Sequence, residues 1–501
     1  MMESPVPAGS VAPDGLDPRR WQALTLLCVA FFMVLLDATI SIVALPSIGA
    51  ALHFSASGLQ WVLSAYALTY GGLLLLGGRS ADLLGRRRTF IAGVLLFTAA
   101  SLACGLAWSP AALLTARVLQ GVGAAIMTPT ALSIIVTTFT DDTERNKALG
   151  IWGALGGIGA ATAWLIGGPI VDGPGWRWIF FINIPVGLVA LALSPALLRE
   201  SRAGLTQRSY DPLGALAITG AMVLLVYTVV EAPTVGWGDL QTILMLIGAV
   251  LLAAVFVLIE ARQSAPLVSL GIFRSRTLSA ADALMVLIAT VAVAMPFVLS
   301  LFAQQVLGYS ALKFGVSSVV LAVAVTIGAI LAQSAVFKAG FRNLAATGLL
   351  LMAGGMVLLA QLSEHSGYFP YIFLGLLVGG LGIGLAFVTA TVAALAGVAP
   401  QEAGLASGLN NTALQVGGAI GVAIATTVAV SRSHTYAAAN AGAGRLAVLA
   451  HGYQAAFVAC LVLAAIGLVL SLLLPGRPPQ AAQRLSEQVP AASAERSGEL
   501  A

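Results

Sequence analysis

The sequence predicts an all-α integral membrane protein with fourteen spans, and three observations carry that prediction. Of 501 residues, 59% are hydrophobic and 9% charged, whereas about a quarter of a soluble domain is charged. A surface this apolar suits lipid and not water. Apolar windows of about 20 residues, the length that crosses a hydrocarbon core, recur fourteen times along the chain. Threading the chain through those windows then gathers its basic residues on one side, as cytoplasmic loops require.

The first 20 residues are polar and contain Pro and Gly, with Arg19-Arg20 at their end. Twin arginines before an apolar run resemble a secretion signal. The run from Trp21 to Leu45 exceeds an h-region of about 7–15 residues, so it reads as a first span with a basic flank. Windows follow near 23–45, 58–78, 89–107, 112–137, 147–171 and 177–197, then near 212–232 and 240–260. Six more lie near 279–304, 314–337, 343–361, 369–396, 406–430 and 451–474. The tail from about Arg477, rich in Ala, Gln, Ser, Glu and Arg, reads as disordered.

An even number of spans places both termini on one side. With that side cytoplasmic, nineteen Lys and Arg residues fall inside. Four fall outside (Arg177, Lys313, Arg432 and Arg445), and Arg117 is left within the membrane. This asymmetry accounts for the net charge of +4 without nucleic acid. Cys28, Cys104 and Cys460 lie in apolar runs and read as small packed side chains. His53, His365, His434 and His451 fall singly in predicted loops without metal-ligand spacing, so no metal or cofactor is expected.

Moving a solute uphill takes nucleotide hydrolysis or a coupled ion. A P-loop ends in Lys followed by Ser or Thr, but Lys147, Lys313 and Lys338 precede Ala, Phe and Ala. The cluster Gly380, Gly382 and Gly384 lies within an apolar span, where small residues let helices approach closely. Charge inside the membrane is the stronger signal. Asp37 in the first span and Arg117 in the fourth sit at similar depths, and each alone costs about 2.5–3.5 kcal/mol to insert. Pairing would offset that cost. The pair reads either as a proton-coupling site or as a structural bond fixing helix register.

Polar stripes extend the candidate site. Arg117, Gln120, Gly121, Ala124 and Thr128 share one face of the fourth span, and Ser41 lies one turn beyond Asp37. Ser407, Asn411 and Gln415 recur every four residues on the thirteenth. Ser41, Gln120, Thr128, Asn411 and Gln415 are the candidate cavity residues; for the thirteenth span a water-filled cavity and a neighbouring helix remain equally open. Met33, Tyr66, Phe180 and Phe181 offer an apolar lining or ordinary packing. Ser279-Ala-Ala-Asp282 has capping-box spacing at the predicted start of the ninth span, with a coupling site as the alternative reading. Glu231 and Glu260 read as interfacial.

Between the second and third spans, Gly78, Asp82, Gly85, Arg86, Arg87 and Arg88 resemble the signature loop of the major facilitator superfamily. There glycines suit a tight turn, arginines anchor the loop, and Asp82 could meet a helix N-terminus. Leu36-Asp37-Ala-Thr39 through Ala44-Leu45-Pro46 is similar to the first-helix motif of its fourteen-span drug:proton antiporter branch. Arg117-Val-Leu-Gln120-Gly121, Trp176-Arg177-Trp178-Ile-Phe180 through Asn183-Ile-Pro185, and Gly404-Leu-Ala-Ser407-Gly408 match further motifs in order. Ala163-Trp164 stands where exporters of that branch carry Gly-Pro. Lys338, Gly340 and Arg342 faintly echo the signature loop, which suits parallel half-repeats.

The resemblance implies six-helix bundles at 23–200 and 276–475, joined by two inserted linker helices at 201–275 and flanked by cytoplasmic segments 1–22 and 476–501. It implies proton-coupled efflux of small hydrophobic or cationic compounds by alternating access, with gating by the signature loop. Asp37 would carry the proton opposite Arg117. Uptake or exchange of a metabolite by the same fold is the alternative, followed by a non-transporting sensor or scaffold. The expected partners are a small-molecule substrate, protons and the bilayer. The protein is expected to be a monomer in a bacterial cytoplasmic membrane, with no cofactor and no enzymatic activity.

Overall fold

A computed structural model describes residues 18–201, 212–263, 268–396, 398 and 402–476. The expected disorder of the tail, most of the expected N-terminal arm and the 202–211 stretch lie outside these residues. Fourteen helices are long and apolar enough to cross a membrane. They are built on α1 (Arg20–Leu52), α2 (Trp61–Leu84), α3 (Arg86–Gly105), α4 (Pro110–Thr138), α5 (Asp142–Asp172), α6 (Asn183–Leu197, whose span begins at Trp178), α7 (Pro212–Val235) and α8 (Leu240–Arg262). They continue with α9 (Arg276–Gln305), α10 (Ala311–Ala339), α11 (Phe341–Leu359), α12 (Phe373–Ala396), α13 (Ala403–Ala439) and α14 (Arg445–Ser471).

The helices pack as two six-membered bundles. In the first, α4 lies along α2 and α3, while α1 packs on α5 and α6. In the second, α12 lies along α10 and α11, and α9 along α13 and α14. The α7/α8 pair sits outside both: α7 touches α2 and α13, and α8 packs along α7 with Val250, Leu251 and Leu258 exposed as on a lipid-facing surface. Glycines set the closest approaches. A Cβ on Gly77 would overlap the Ala125 carbonyl between α2 and α4. One on Gly384 would overlap the Val325 carbonyl between α10 and α12, and one on Gly382 the Gly348 carbonyl of α11. Helix association in lipid gains from such backbone contact because apolar burial supplies no driving force there.

One end of the molecule carries the start of α1 and the α2–α3 turn, and is called the loop end below. The two bundles join at mid-depth and toward the opposite, far end. There Asp172, closing α5, accepts from the Ala311 and Leu312 N–H groups at 3.2 and 2.8 Å, capping α10 of the other bundle. Ser300 Oγ and Gln304 Nε2 of α9 donate to the Ile42 and Val43 carbonyls of α1 at 2.8 and 3.1 Å. Thr412 Oγ1 of α13 donates to the Gly71 carbonyl of α2 at 3.0 Å. Toward the loop end, a Cβ on Gly150, Gly153 or Gly156 of α5 would meet nothing within 4 Å.

Several local expectations need correction. α9 starts four residues earlier than the capping-box reading requires, with Ser275 as its N-cap accepting from Leu278 N–H at 3.3 Å. Ser279 instead donates to the Phe273 carbonyl, and Asp282 lies inside the helix, bonded to Asn410. His434 and His451 lie within α13 and α14, not in loops. Glu260 lies at the end of α8, as expected, but is covered by protein: it is 3% exposed and accepts from the Val268 N–H at 3.3 Å. Gly78 lies inside α2, where a Cβ would make ordinary contact with Pro129, so it does not form the turn.

Candidate functional site: a buried ion pair at the junction of five helices

Asp37 and Arg117 meet. Arg117 Nη1 donates to Asp37 Oδ2 at 2.5 Å, and both residues are 0% exposed. The pair is held by polar groups from neighbouring spans. Gln120 Nε2, one turn along α4 from Arg117, donates to Asp37 Oδ1 at 2.9 Å. Asn183 Nδ2, at the start of α6, donates to the same oxygen at 3.0 Å. Ser101 Oγ of α3 accepts from Asn183 at 2.9 Å and Gln120 at 3.3 Å, and donates to the Phe180 carbonyl at 2.9 Å.

The network fixes each amide. Gln120 Oε1 accepts from Arg117 Nη1 at 2.7 Å, which turns its NH2 toward Asp37. Arg117 Nε donates to the Val62 carbonyl of α2 at 2.9 Å. That contact needs α2 and α4 close together; Gly121 permits it, because a Cβ there would stand 2.7 Å from the Tyr66 carbonyl. The guanidinium lies 4.3 Å from the Tyr66 ring centroid and 5.8 Å from that of Phe180. Arg117 Nη2 and the Tyr66 hydroxyl are buried without a hydrogen-bond partner. The carboxylate thus accepts from three donors, and removing one member of such a buried pair costs about 3–5 kcal/mol.

The remaining candidate residues are placed as follows. Ser41 is buried and spends its hydroxyl on the Asp37 main-chain carbonyl at 2.7 Å. Thr128 is buried with its hydroxyl unpartnered, and the Tyr70 hydroxyl faces both it and Asn411. The Tyr66 and Tyr70 rings stand 5.9 Å apart, so an aromatic bridge runs from the ion pair to Asn411 on the other bundle. Gln415 packs against Gly71 of α2, beside the Thr412 bond. That part of the α13 stripe therefore faces a neighbouring helix. Met33, Tyr66 and Phe180 are buried, and Phe181 packs against Gly105.

The loop between α2 and α3 turns at Gly85, whose φ of 108° suits glycine alone. Asp82 accepts from Arg86 Nη2 at 3.0 Å, so its bond is to an arginine four residues on and not to a helix N-terminus. Arg86 Nε reaches Ser133 of α4 at 2.7 Å, and its main-chain N–H donates to the Ser201 carbonyl at 3.0 Å. Arg87 and Arg88 lie 3.9 and 3.6 Å from Glu200, beyond the end of α6. Gly340, with φ 82°, makes the same turn between α10 and α11. Two residues on, Arg342 donates to the Leu474 carbonyl past α14, as Arg87 does to the Leu198 carbonyl past α6.

Sequence reasoning missed Ser101, Asn183 and Glu200 as members of these networks. Asn183 stood within a quoted motif segment, which was its one signal.

Paired bundles of helices long and apolar enough to cross a membrane enclose a fully buried ion pair, an arrangement suited to moving a solute across a bilayer. Residues 27–422 match the model of the Major Facilitator Superfamily, and the chain belongs to that family. It is 39% identical over 458 residues to the puromycin resistance protein of Streptomyces alboniger, covering 90% of this chain and 91% of that one. It is 37% identical to the tetracenomycin C resistance and export protein of Streptomyces glaucescens, covering 84% and 78%. A bacterial homologue of the human lysosomal transporter Spinster, in an inward-facing, unoccupied conformation, superposes with a TM-score of 0.65. That match covers 92% of this chain and 97% of the other at 19% identity, which speaks to fold alone.

Proposed function

We propose that this protein is a proton-coupled exporter of small hydrophobic or cationic compounds, working by alternating access. The observation that carries the reading is the wholly buried Asp37–Arg117 pair, an ionisable couple placed where charge is costly and held by Gln120 and Asn183. Relatives named for antibiotic resistance and export support the substrate class and the direction. Nineteen basic residues on one side of the weave support a cytoplasmic loop end and cytoplasmic termini. The natural setting is then a bacterial cytoplasmic membrane, with the monomer as the working unit.

On that orientation the described conformation, joined at the far end, opens toward the cytoplasm. The 23–200 and 276–475 bundles rock as bodies about a central cavity, with the 201–275 pair as a linker. Asp37 in its ionised form holds Arg117, Gln120 and Asn183. A proton on its carboxylate cancels the charge that orders those donors, freeing Arg117 and letting the first bundle change its partners. Thr128 and Asn411, which the Tyr70 hydroxyl faces from between the bundles, supply the polar lining, while Ser41 and Gln120 hold the first bundle around Asp37 and Gln415 packs on α2. The signature loop gates the cytoplasmic side through Asp82, Arg86, Arg87 and Arg88, with Gly85 as its pivot and Gly78 as a neighbouring member.

The test is drug susceptibility of a sensitive host with and without a protonophore, alongside efflux from everted vesicles. Asp37→Asn keeps the shape but not the titration, and is expected to insert normally and lose proton-driven efflux. Full coupled efflux by that variant would remove the basis of the reading. Accumulation rather than loss of compound in cells expressing the native chain would reverse the direction.

A further inference from the structure

Asp282 is the one Asp or Glu inside the six spans from α9 to α14; Glu364 and Glu402 lie between helices. With Ser275 capping α9, the helix start makes no use of its carboxylate. The side chain turns to α13, where Asn410 Nδ2 donates to Oδ1 at 2.9 Å. Thr391 Oγ1 of α12 lies 3.2 Å from Asn410 Oδ1, which sets that amide with its NH2 toward Asp282. Asn410 itself is 5% exposed. The other carboxylate oxygen, Oδ2, is buried with no hydrogen-bond partner.

The surroundings offer no counter-charge. α12 carries no ionisable side chain, and on α13 and α14 the arginines and histidines stand at the far end. Arg274 and Arg276 at the start of α9, and Glu402 before α13, are the charges closest along the chain. Among the described residues none forms an ion pair with Asp282. Arg342 is engaged with the Leu474 carbonyl and Arg20 with Glu144. A carboxylate oxygen shut from water and bare of donors is the costly case of a buried polar group. A proton there removes the charge, the larger part of that cost, without disturbing the Asn410 bond.

We propose that Asp282 is a second proton-binding site, located in the bundle opposite the Asp37–Arg117 pair. A proton from water adds to Oδ2 to form a neutral acid, while Oδ1 goes on accepting from Asn410. Its role in transport rests on the proton-coupled export reading. With two carboxyls loaded per cycle, exchange for one monovalent cation carries one net positive charge inward. Membrane potential then drives export directly, and 100 mV supports roughly fifty-fold accumulation per charge moved.

The binding claim is tested apart from transport. Purified protein in lightly buffered detergent is jumped from about pH 8 to about pH 6, a window in which a solvated carboxyl has already lost its proton. The native chain is expected to take up a substantial fraction of a proton more than Asp282→Asn over that window. Asp282→Glu, which keeps the carboxyl, is expected to restore the uptake. Equal uptake by the native chain and Asp282→Asn overturns the proposal. In vesicles, ethidium export by the native chain should respond to potential alone, and that by Asp282→Asn only to a pH gradient. An altered substrate range with the potential response intact would make Asp282 a substrate contact instead, and also overturns it.

Discussion

Asn183 links α6 to the ion pair by one amide, donating to both Asp37 and Ser101. Asn183→Ala leaves Asp37 with two donors in place of three, and a hydrogen bond to a charged group contributes about 1.5–3 kcal/mol. Thermal unfolding in detergent should show a loss of that order, together with weakened proton-driven efflux. Efflux at the native level in a destabilised Asn183→Ala protein would reduce the residue to scaffolding. The sequence disclosed Asp37 and Arg117 because charges in an apolar run demand a partner. It did not disclose Ser101, whose hydroxyl is cheap enough in a span to pass as ordinary packing. Asp282 was visible, but a capping box was preferred to a coupling role for it, since serines at both 275 and 279 suit a helix start and only coordinates tell which one caps.

Helix-scale features were legible where geometry follows from length. All fourteen apolar windows became helices, with most ends shifted by a few residues and the far ends of α1 and α13 running seven and nine residues longer. Turn chemistry was half legible: Gly85 and the faint echo at Gly340 both have positive φ, whereas Gly78 needs no glycine. Replacing Gly85 or Gly340 with Ala forces an L side chain into an extended, positive-φ conformation at about 1–3 kcal/mol. At Gly85 the added Cβ also meets Glu200 Oε1 at 2.6 Å. Melting temperatures should therefore fall most for Gly85→Ala, less for Gly340→Ala, and hardly at all for Gly78→Ala. Equal falls at all three would mean that the turn conformations do not matter.

The whole molecule is held shut at one end by contacts between bundles that no single helix announces, which is why sequence periodicity gave no hint of the conformation. Asp172, charged and capping α10, is the clearest of these. Asp172→Ala removes the acceptor for two main-chain N–H groups and should shift the population toward far-end opening by about 1–2 kcal/mol. Cysteine labelling can follow that shift. The three native cysteines are buried, and Gly153→Cys would stand in open space toward the loop end. A membrane-impermeant maleimide should modify it from the cytoplasmic face, more slowly in the Asp172→Ala background; an unchanged rate would show that this cap does not hold the end closed. The glycine seams at Gly77, Gly382 and Gly384 carry a different consequence. Where main chains touch, a larger residue cannot be accommodated, so adaptation to unfamiliar compounds has to proceed through residues facing the space between the bundles. Resistance variants selected in a laboratory should accordingly avoid those seams and accumulate along the corridor that cargo travels.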